Sequence, residues 1–578
     1  MKIVLGFLVM ISRHEFHLRQ SRRVQGATRA SHAREGGRPP RFSRLTVVGT
    51  AVVVVTIFVA FFGLQRSSEI GRLAAPPWYD DVVYLFTAQV LLHAAQHQSW
   101  LETLRQLIDQ HAPLSTSLGV LGFLAVPQGW AGPYIANCLV LGAFLIGCAV
   151  LLRPLPTAAI IGAIAAIGAI PVASLSITEF RPDFAWGFLS GLAAAALLRR
   201  QLFQFSGKRL LLIGLLCGLA LVSKPSTGPF TAVILATAFV GSVLLYVLAG
   251  DPAAMRTRLR AIARVAALIG LGAAIVAGPV YAIIWRDVYA YILLALVELH
   301  DENAAPGDFL FQLLYYSTGD GGSIVLGQAF WMLLLFWVAA FACCAIYKGC
   351  LLPRLICYLA VILVAYAIPA YTDTKTLFLG GAFYGTLIAS TCAIAGELWR
   401  IAAKSHRLTG LRTGAAGLIC VAGIALLVRA NALDHPVVLM TTSPEMRTDM
   451  LEATARIWSV LKDHVVSREK ELAIPKTYSV MVLSPAPVSA GNLSLLAVTQ
   501  DVPLRAHGAY YVRTIDDLVL QIKNFDYAVV TNSVQSHLYG PRLGDAFMKV
   551  MDDRQDFKPI TSYSRLVGGT VRVYERRP

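Results

Sequence analysis

Charge is scarce in this chain. Only 15% of its 578 residues are Asp, Glu, Lys or Arg, 56% are hydrophobic, and the mean hydropathy is +0.61. A soluble protein of this size carries about 25% charged residues, so a soluble globular fold is excluded. Cysteine is absent from the large loops and from the C-terminal 150 residues. All nine cysteines, Cys138 to Cys420, lie in or beside apolar runs, which excludes a disulfide framework or a CxxC metal site and leaves them the role of small apolar side chains. There is no glycine-rich phosphate loop and no internal repeat.

Long apolar runs recur from residue 45 to residue 428. Many approach the roughly 20 residues that cross a bilayer as a helix, which predicts a polytopic α-helical membrane protein. The net charge of +16 sits in the N-terminal arm and in short loops. This distribution follows the positive-inside rule and gives no reason to expect nucleic acid as a partner.

Residues 1–44 read as a basic cytoplasmic arm without fixed structure. A short apolar run at 3–11 precedes nine arginines in 13–44, the reverse of a cleavable signal peptide. An upstream mis-start of the reading frame is the other reading of this arm.

The clearest spans are 45–64, 156–177, 183–198, 209–223, 228–248, 264–285, 327–346, 354–370, 377–396 and 411–428. The stretch 114–152 is broken by Pro127, Gly129 and Pro133. Basic loops at Arg199-Arg200, Lys208-Arg209, Arg256 to Arg264, Lys348 with Arg354, and Arg400 to Arg412 are expected on the cytoplasmic side. Counting outward from them gives 114–152 an odd number of crossings, read as one span plus a short re-entrant helix. The total is about 11 spans, with the N-terminus inside and the C-terminus outside. Residues 429–578 change character. Helices at 445–468, 514–523 and near 541–551 and strands at 478–484, 525–531 and 570–574 predict a small extracytoplasmic α/β domain, a lid or binding accessory.

This topology gathers the polar insertions on one side. Asp80-Asp81 lies in the outer loop 65–113, within Trp78-Tyr79-Asp80-Asp81-Val82-Val83-Tyr84. Thr178 to Asp183, Lys224-Pro225-Ser226, the loop 286–326 and Thr372 to Lys375 face the same way. Charges near membrane depth cost about 2.5–3.5 kcal/mol by insertion scales and usually mark function. A carboxylate can take a proton from a hydroxyl and raise a rate about 10²–10⁴-fold, but an acidic doublet also occurs in bland loops. His111-Ala112-Pro113 fits ordinary helix-start geometry as well as a site. Asp183 is explained by the helix dipole alone, yet Glu179, Arg181 and Asp183 together exceed what a turn requires. Lys224 and Lys375 either snorkel to headgroups or hold a phosphate. Glu298-Leu299-His300-Asp301-Glu302 offers ligands to a divalent cation, or is a solvated loop.

Taken in order, these motifs resemble the GT-C membrane glycosyltransferases. The similarity is to the protein-mannosyltransferase, aminoarabinose-transferase and RgtA/B/C/D-like branch, over about residues 45–400. Asp80-Asp81 followed by Tyr84 resembles the branch's acidic pair. His111-Ala112-Pro113 resembles its His-Pro-Pro element, with Ala112 in place of one proline. Arg181-Pro182-Asp183 and Ser223-Lys224-Pro225 resemble its Arg-Pro-Asp and Ser-Lys-Pro turns, and Lys375 a later basic position.

The resemblance implies a GT-C-like catalytic domain at 45–428. It would move a sugar from a polyprenyl-phosphate donor to an envelope lipid, glycan or protein at the outer face of the inner membrane, with inversion. Asp80 would be the general base. Asp81 or Asp183 would orient substrate or hold a metal if one is used. Arg181, Lys224 and Lys375 would meet the phosphate charge, and His111 would line the substrate. No cofactor is certain, and a divalent cation is the one candidate. Two other readings stand beside this one: a lipid or solute transporter, and a non-catalytic envelope-assembly scaffold.

Overall fold

The computed structural model describes residues 43–77, 80–127, 129–249, 255–293, 307–346, 351–372, 374–403, 409–439, 441–472, 476–484, 488–510, 512–532, 539–566 and 568–577. The arm at 1–42 and the acidic segment 298–302 lie outside these residues. The chain is a helical membrane unit followed by a small α/β unit.

The first long helix, α1, spans Arg44–Ile70 and starts at Ser43, whose side chain accepts from the Thr46 amide. A 3-10 turn, Arg72–Ala74, leads to α2 at Asp80–His97. The short surface helix α3, Trp100–Ile108, has a Ser99–Glu102 capping box. Next come α4 at Pro113–Ala125, a short turn of helix Ala131–Ala136, and α5 at Cys138–Leu151. Here α4 is the short helix, and 131–151 is continuous and apolar enough to cross a membrane.

The run expected as one span at 156–177 is two helices, α6 Thr157–Gly168 and α7 Pro171–Thr178, bent by 60°. Ile170 is extended (φ −72°, ψ 133°), as the residue before a proline must be, and Pro171 has no N–H to continue the ladder. Hydropathy alone does not register that break.

The remaining long helices are α8 Pro182–Leu197, α9 Gly207–Ser223, α10 Gly228–Leu248, α11 Met255–Leu293, α12 Ala329–Ile346, α13 Leu352–Tyr371, α14 Gly381–Ala402 and α15 Thr409–Val428. Six described helices, or seven with the bent pair counted as one, are long and apolar enough to cross a membrane. The expected spans at 183–198, 209–223, 327–346 and 377–396 are helical as well.

Helix α8 is apolar all round and buried along almost its whole length, which makes it the axis of the unit. It meets α14 along a seam of small residues. A Cβ on Gly187 would stand 2.0 Å from the Gly381 carbonyl oxygen, and one on Gly191 2.3 Å from that of Gly385. Close backbone contact of this kind holds helices together where lipid supplies no hydrophobic drive. The same seam fixes the start of α8, because a Cβ on Gly381 would meet the Asp183 carbonyl oxygen at 2.5 Å. Gly187→Leu is therefore expected to destabilise the protein by more than the roughly 1–3 kcal/mol of ordinary overpacking. A lowered melting temperature in detergent, with loss of a monodisperse elution peak, is the check.

The C-terminal unit opens with α16, Pro444–Leu472. Its five-stranded sheet runs β1 Tyr478–Leu483, β2 Leu504–Gly508, β3 Tyr527–Thr531, β4 Phe557–Ser564 and β5 Thr570–Arg576, in spatial order β2-β1-β3-β5-β4. The β1 pairings are parallel, while β5 pairs antiparallel with both β3 and β4. Helices α17 Ala490–Thr499, α18 Ile515–Ile522 and α19 Gly544–Asp553 connect the strands.

This unit is braced against the membrane unit. Gly491 of α17 lies so close to α2 that a Cβ there would meet Val82 at 2.6 Å. Leu495 is buried with Val82, Leu85, Ala88, Leu118 and Phe180. Thr442 N–H donates to Ile70 O at 2.8 Å, and Arg447 Nη1 to Glu69 O at 2.8 Å. The C-terminal unit thus rests on the helix that begins with Asp80 and Asp81.

Candidate active site

Three X-Pro turns bring the polar ends of the helices together. Arg181 is extended (φ −131°, ψ 148°) before Pro182, which places Asp183 in the first turn of α8. Lys224 closes α9 and precedes Pro225, where a chain cannot continue as helix. Pro113 starts α4 just after His111.

Asp80 and Asp81 are the first residues of α2, where the helix dipole favours negative charge. Neighbours on a helix point about 100° apart, so the two carboxylates enter different surroundings. Asp80 is half-exposed (46%) and its carboxylate accepts from Arg181 Nη2 at 2.5 Å. Asp183 Oδ2 lies 3.4 Å from Arg181 Nε, and Asp183 Oδ1 accepts from Lys224 Nζ at 2.5 Å. Asp80, Arg181, Asp183 and Lys224 thus form one file of alternating charge. The Arg181 guanidinium lies 3.7 Å from the centre of the Phe378 ring.

Asp81 is fully buried. Its Oδ2 accepts from Tyr134 O–H at 2.8 Å and from Phe180 N–H at 3.0 Å, while Oδ1 has no hydrogen-bond partner. Behind it, the buried Arg72 donates from Nε to Glu179 Oε2 at 3.0 Å, with that nitrogen also 3.7 Å from Asp81 Oδ2. Glu179 is held by its backbone too, its carbonyl accepting from Asn137 Nδ2 at 3.1 Å.

A cavity of about 170 Å³ opens beside Asp80, walled by Tyr84 and Thr87 of α2, His111 and Thr116 at the start of α4, and Tyr291 of α11. The His111 ring meets Tyr291 edge-on at 4.6 Å. Partial burial, then the Lys224 ammonium, hold its imidazole below the usual range, so it is neutral at pH 7.

No protein-family model matches the chain, and no curated protein does. Solved structures do. ArnT from Cupriavidus metallidurans bound to undecaprenyl phosphate aligns with a TM-score of 0.53 at 13% identity, over 91% of this chain and 97% of that one. The two chains share a fold. ArnT in the apo state aligns at 0.49 and 12% identity, over 91% and 97% of the two chains. The Archaeoglobus fulgidus oligosaccharyltransferase, in complex with Zn and sulfate, aligns at 0.43 and 13% identity, over 83% of this chain and 67% of that one.

Within this fold the structure brings Asp80, Arg181, Asp183 and Lys224 into direct contact and puts His111 on the cavity wall. Lys375 sits three residues before Phe378, but its ammonium donates to the carbonyls of Pro369 (3.0 Å), Ala370 (2.9 Å) and Thr372, at the end of α13. It acts there as a helix-end cation. Among the described residues no group of three or more His, Cys, Asp or Glu is placed to hold a metal ion. The positive charge between Asp81 and Glu179 is Arg72.

Arg72, Tyr134 and Thr116 were not singled out from the sequence. Arg72 carried a faint signal, as one of two arginines, with Arg66, between the first span and the acidic pair. Tyr134 and Thr116 sit inside apolar runs and carried none.

Proposed function

We propose that the chain is a membrane glycosyltransferase that moves a sugar from a polyprenyl-phosphate carrier to a hydroxyl of an envelope lipid, glycan or protein. The observation that carries this reading is the half-exposed Asp80 carboxylate, at the mouth of a cavity and at one end of a file of charge that ends in Lys224. ArnT, which shares the fold, is bound to undecaprenyl phosphate in its crystal structure, which supports a polyprenyl phosphate as carrier. The basic loops support placing the reaction on the outer face of the inner membrane.

In this mechanism Asp80 takes the proton from the acceptor hydroxyl. The acceptor oxygen forms a bond to the anomeric carbon as the bond from that carbon to the phosphate oxygen breaks, with inversion. The electron pair leaves on the polyprenyl phosphate, whose charge is met by Arg181 and Lys224. Asp183 orients both cations before the phosphate arrives, and Asp81 fixes the first turn of α2 through Tyr134 and Phe180. Lys375 acts at one remove, by holding the end of α13 near Phe378.

The test is an incubation of the full chain, in lipid nanodiscs, with polyprenyl-phosphate-linked radiolabelled sugars and envelope extract, followed by separation of donor and products. Cleavage of the sugar–phosphate bond supports the reading. Donor that stays intact throughout, while proteoliposomes carry it across the bilayer, would favour a transporter. Lys224→Gln is expected to slow cleavage about 10²-fold, the scale of losing one electrostatic stabiliser of the leaving group.

A further inference from the structure

Lys224 ends the file of charge, and two helices grip the turn that carries it. Its backbone is non-helical (φ −144°, ψ 87°), as expected of a residue before proline. Pro225 has no N–H, so the Leu221 carbonyl, which residue 225 would satisfy in a continuing helix, loses its helical donor. Tyr281 of α11 supplies one. Its hydroxyl lies 3.1 Å from Leu221 O and 3.0 Å from Pro225 O and shares its proton between these two carbonyls, which flank Lys224. Gly228 makes the approach possible, because a Cβ there would stand 1.9 Å from the Tyr281 oxygen.

The second grip comes from α8. Trp186, one turn past Asp183, donates from Nε1 to Thr231 Oγ1 at 2.6 Å, and Thr231 Oγ1 donates to Thr227 O at 3.1 Å. Thr227 in turn donates to the Lys224 carbonyl, from its N–H at 2.9 Å and from its Oγ1 at 2.8 Å. Trp186, Thr227 and Thr231 are all buried. Asp183, on the same helix as Trp186, accepts from the Lys224 ammonium. The ion pair fixes what the ammonium touches, and the two grips fix where its stem begins.

We infer that Tyr281 and Thr227 are positioning residues, which hold the Lys224 turn so that its ammonium is aimed at the carrier phosphate before the carrier arrives. The inference rests on the glycosyltransferase reading and adds the residues that set the aim. A lysine is a point charge on a flexible four-carbon stem, with no fixed fork to impose a geometry of its own. Its aim therefore depends on its backbone, and a misplacement of about 1 Å can cost about 10²-fold in rate.

The experiment titrates polyprenyl phosphate and uncharged polyprenol against the full chain in nanodiscs. The proteins are the natural chain, Tyr281→Phe, Thr227→Val and Lys224→Gln, with each of the first two substitutions also combined with the third. Tyr281→Phe keeps the ring and removes the O–H. It is expected to weaken polyprenyl phosphate about tenfold, one hydrogen bond's worth, and to leave polyprenol unchanged. With Lys224→Gln in place it should cost nothing more, because no ammonium is left to aim. A merely structural clamp would weaken both lipids alike and cost the same in both backgrounds. Thr227→Val, which keeps the shape and the N–H bond, should show the same pattern, and it carries the test if Tyr281→Phe does not fold.

Unchanged polyprenyl phosphate binding in the folded variants, or a loss that is the same with and without Lys224, overturns the inference and leaves the glycosyltransferase reading standing. Failure of polyprenyl phosphate to bind the natural chain overturns both.

Discussion

Asp80→Asn is expected to lower sugar transfer about 10²–10⁴-fold, the range that general-base help supplies, with the protein still inserted and folded. The substitution keeps shape and removes only the capacity to take a proton. Its structural effect should be small because Asp80 is half-exposed and its partner Arg181 keeps both Asp183 and the Phe378 ring. The neighbouring Asp81→Asn should behave differently. Asp81 accepts from Tyr134 O–H and Phe180 N–H in a fully buried site beside Arg72, so its loss should lower the melting temperature as well as the rate. The two variants, compared for activity and for thermal melting in the same detergent, separate base from scaffold. Full transfer by Asp80→Asn would sink the assignment of the base.

The difference between the two aspartates was open to sequence reasoning only in part. That Asp80-Asp81, Arg181-Pro182-Asp183 and Lys224-Pro225 share one side of the molecule follows from counting basic loops, because charge placement and helix-ending prolines are local signals. Which member of the pair is exposed depends on the rotation of α2 about its axis, and packing on α4 and α17 sets that. Arg72 and Glu179 are 107 residues apart, and Tyr134 is 53 from Asp81, so no local pattern marks these contacts.

In the C-terminal unit the strands legible in sequence were β1, β3 and β5, the three inner strands of the sheet. Strands β2 and β4 lie at its edges. There, exposure weakens the apolar alternation, and Pro559 with its bulge is tolerated in β4 as it would not be inside. Helix α17 was missed as well, although Ser489 caps it, because its run reads equally well as a buried strand. It is nonetheless the element that ties this unit to α2.

Arg72→Met is expected to destabilise the protein by about 3–5 kcal/mol, the scale of leaving a buried charge without its partner. Arg72 and Glu179 are both almost fully buried, and the guanidinium lies within 4 Å of two carboxylates. Without it, Asp81 and Glu179 are two buried carboxylates with no cation between them, each with one oxygen already unpartnered. One must then take up a proton or the segment must open to water. Adding Glu179→Gln to Arg72→Met should therefore recover much of the loss, because one negative charge remains and Tyr134 and Phe180 still donate to it. Thermal melting of the two single variants and the double variant forms a closed cycle that measures the coupling directly. Arg72→Met melting like the natural chain would show that Arg72 adds nothing to stability. If the double variant regains the melting temperature but not the rate, the fault lies in the aim of the first turn of α2, since Asp80 and Asp81 move as one piece of helix.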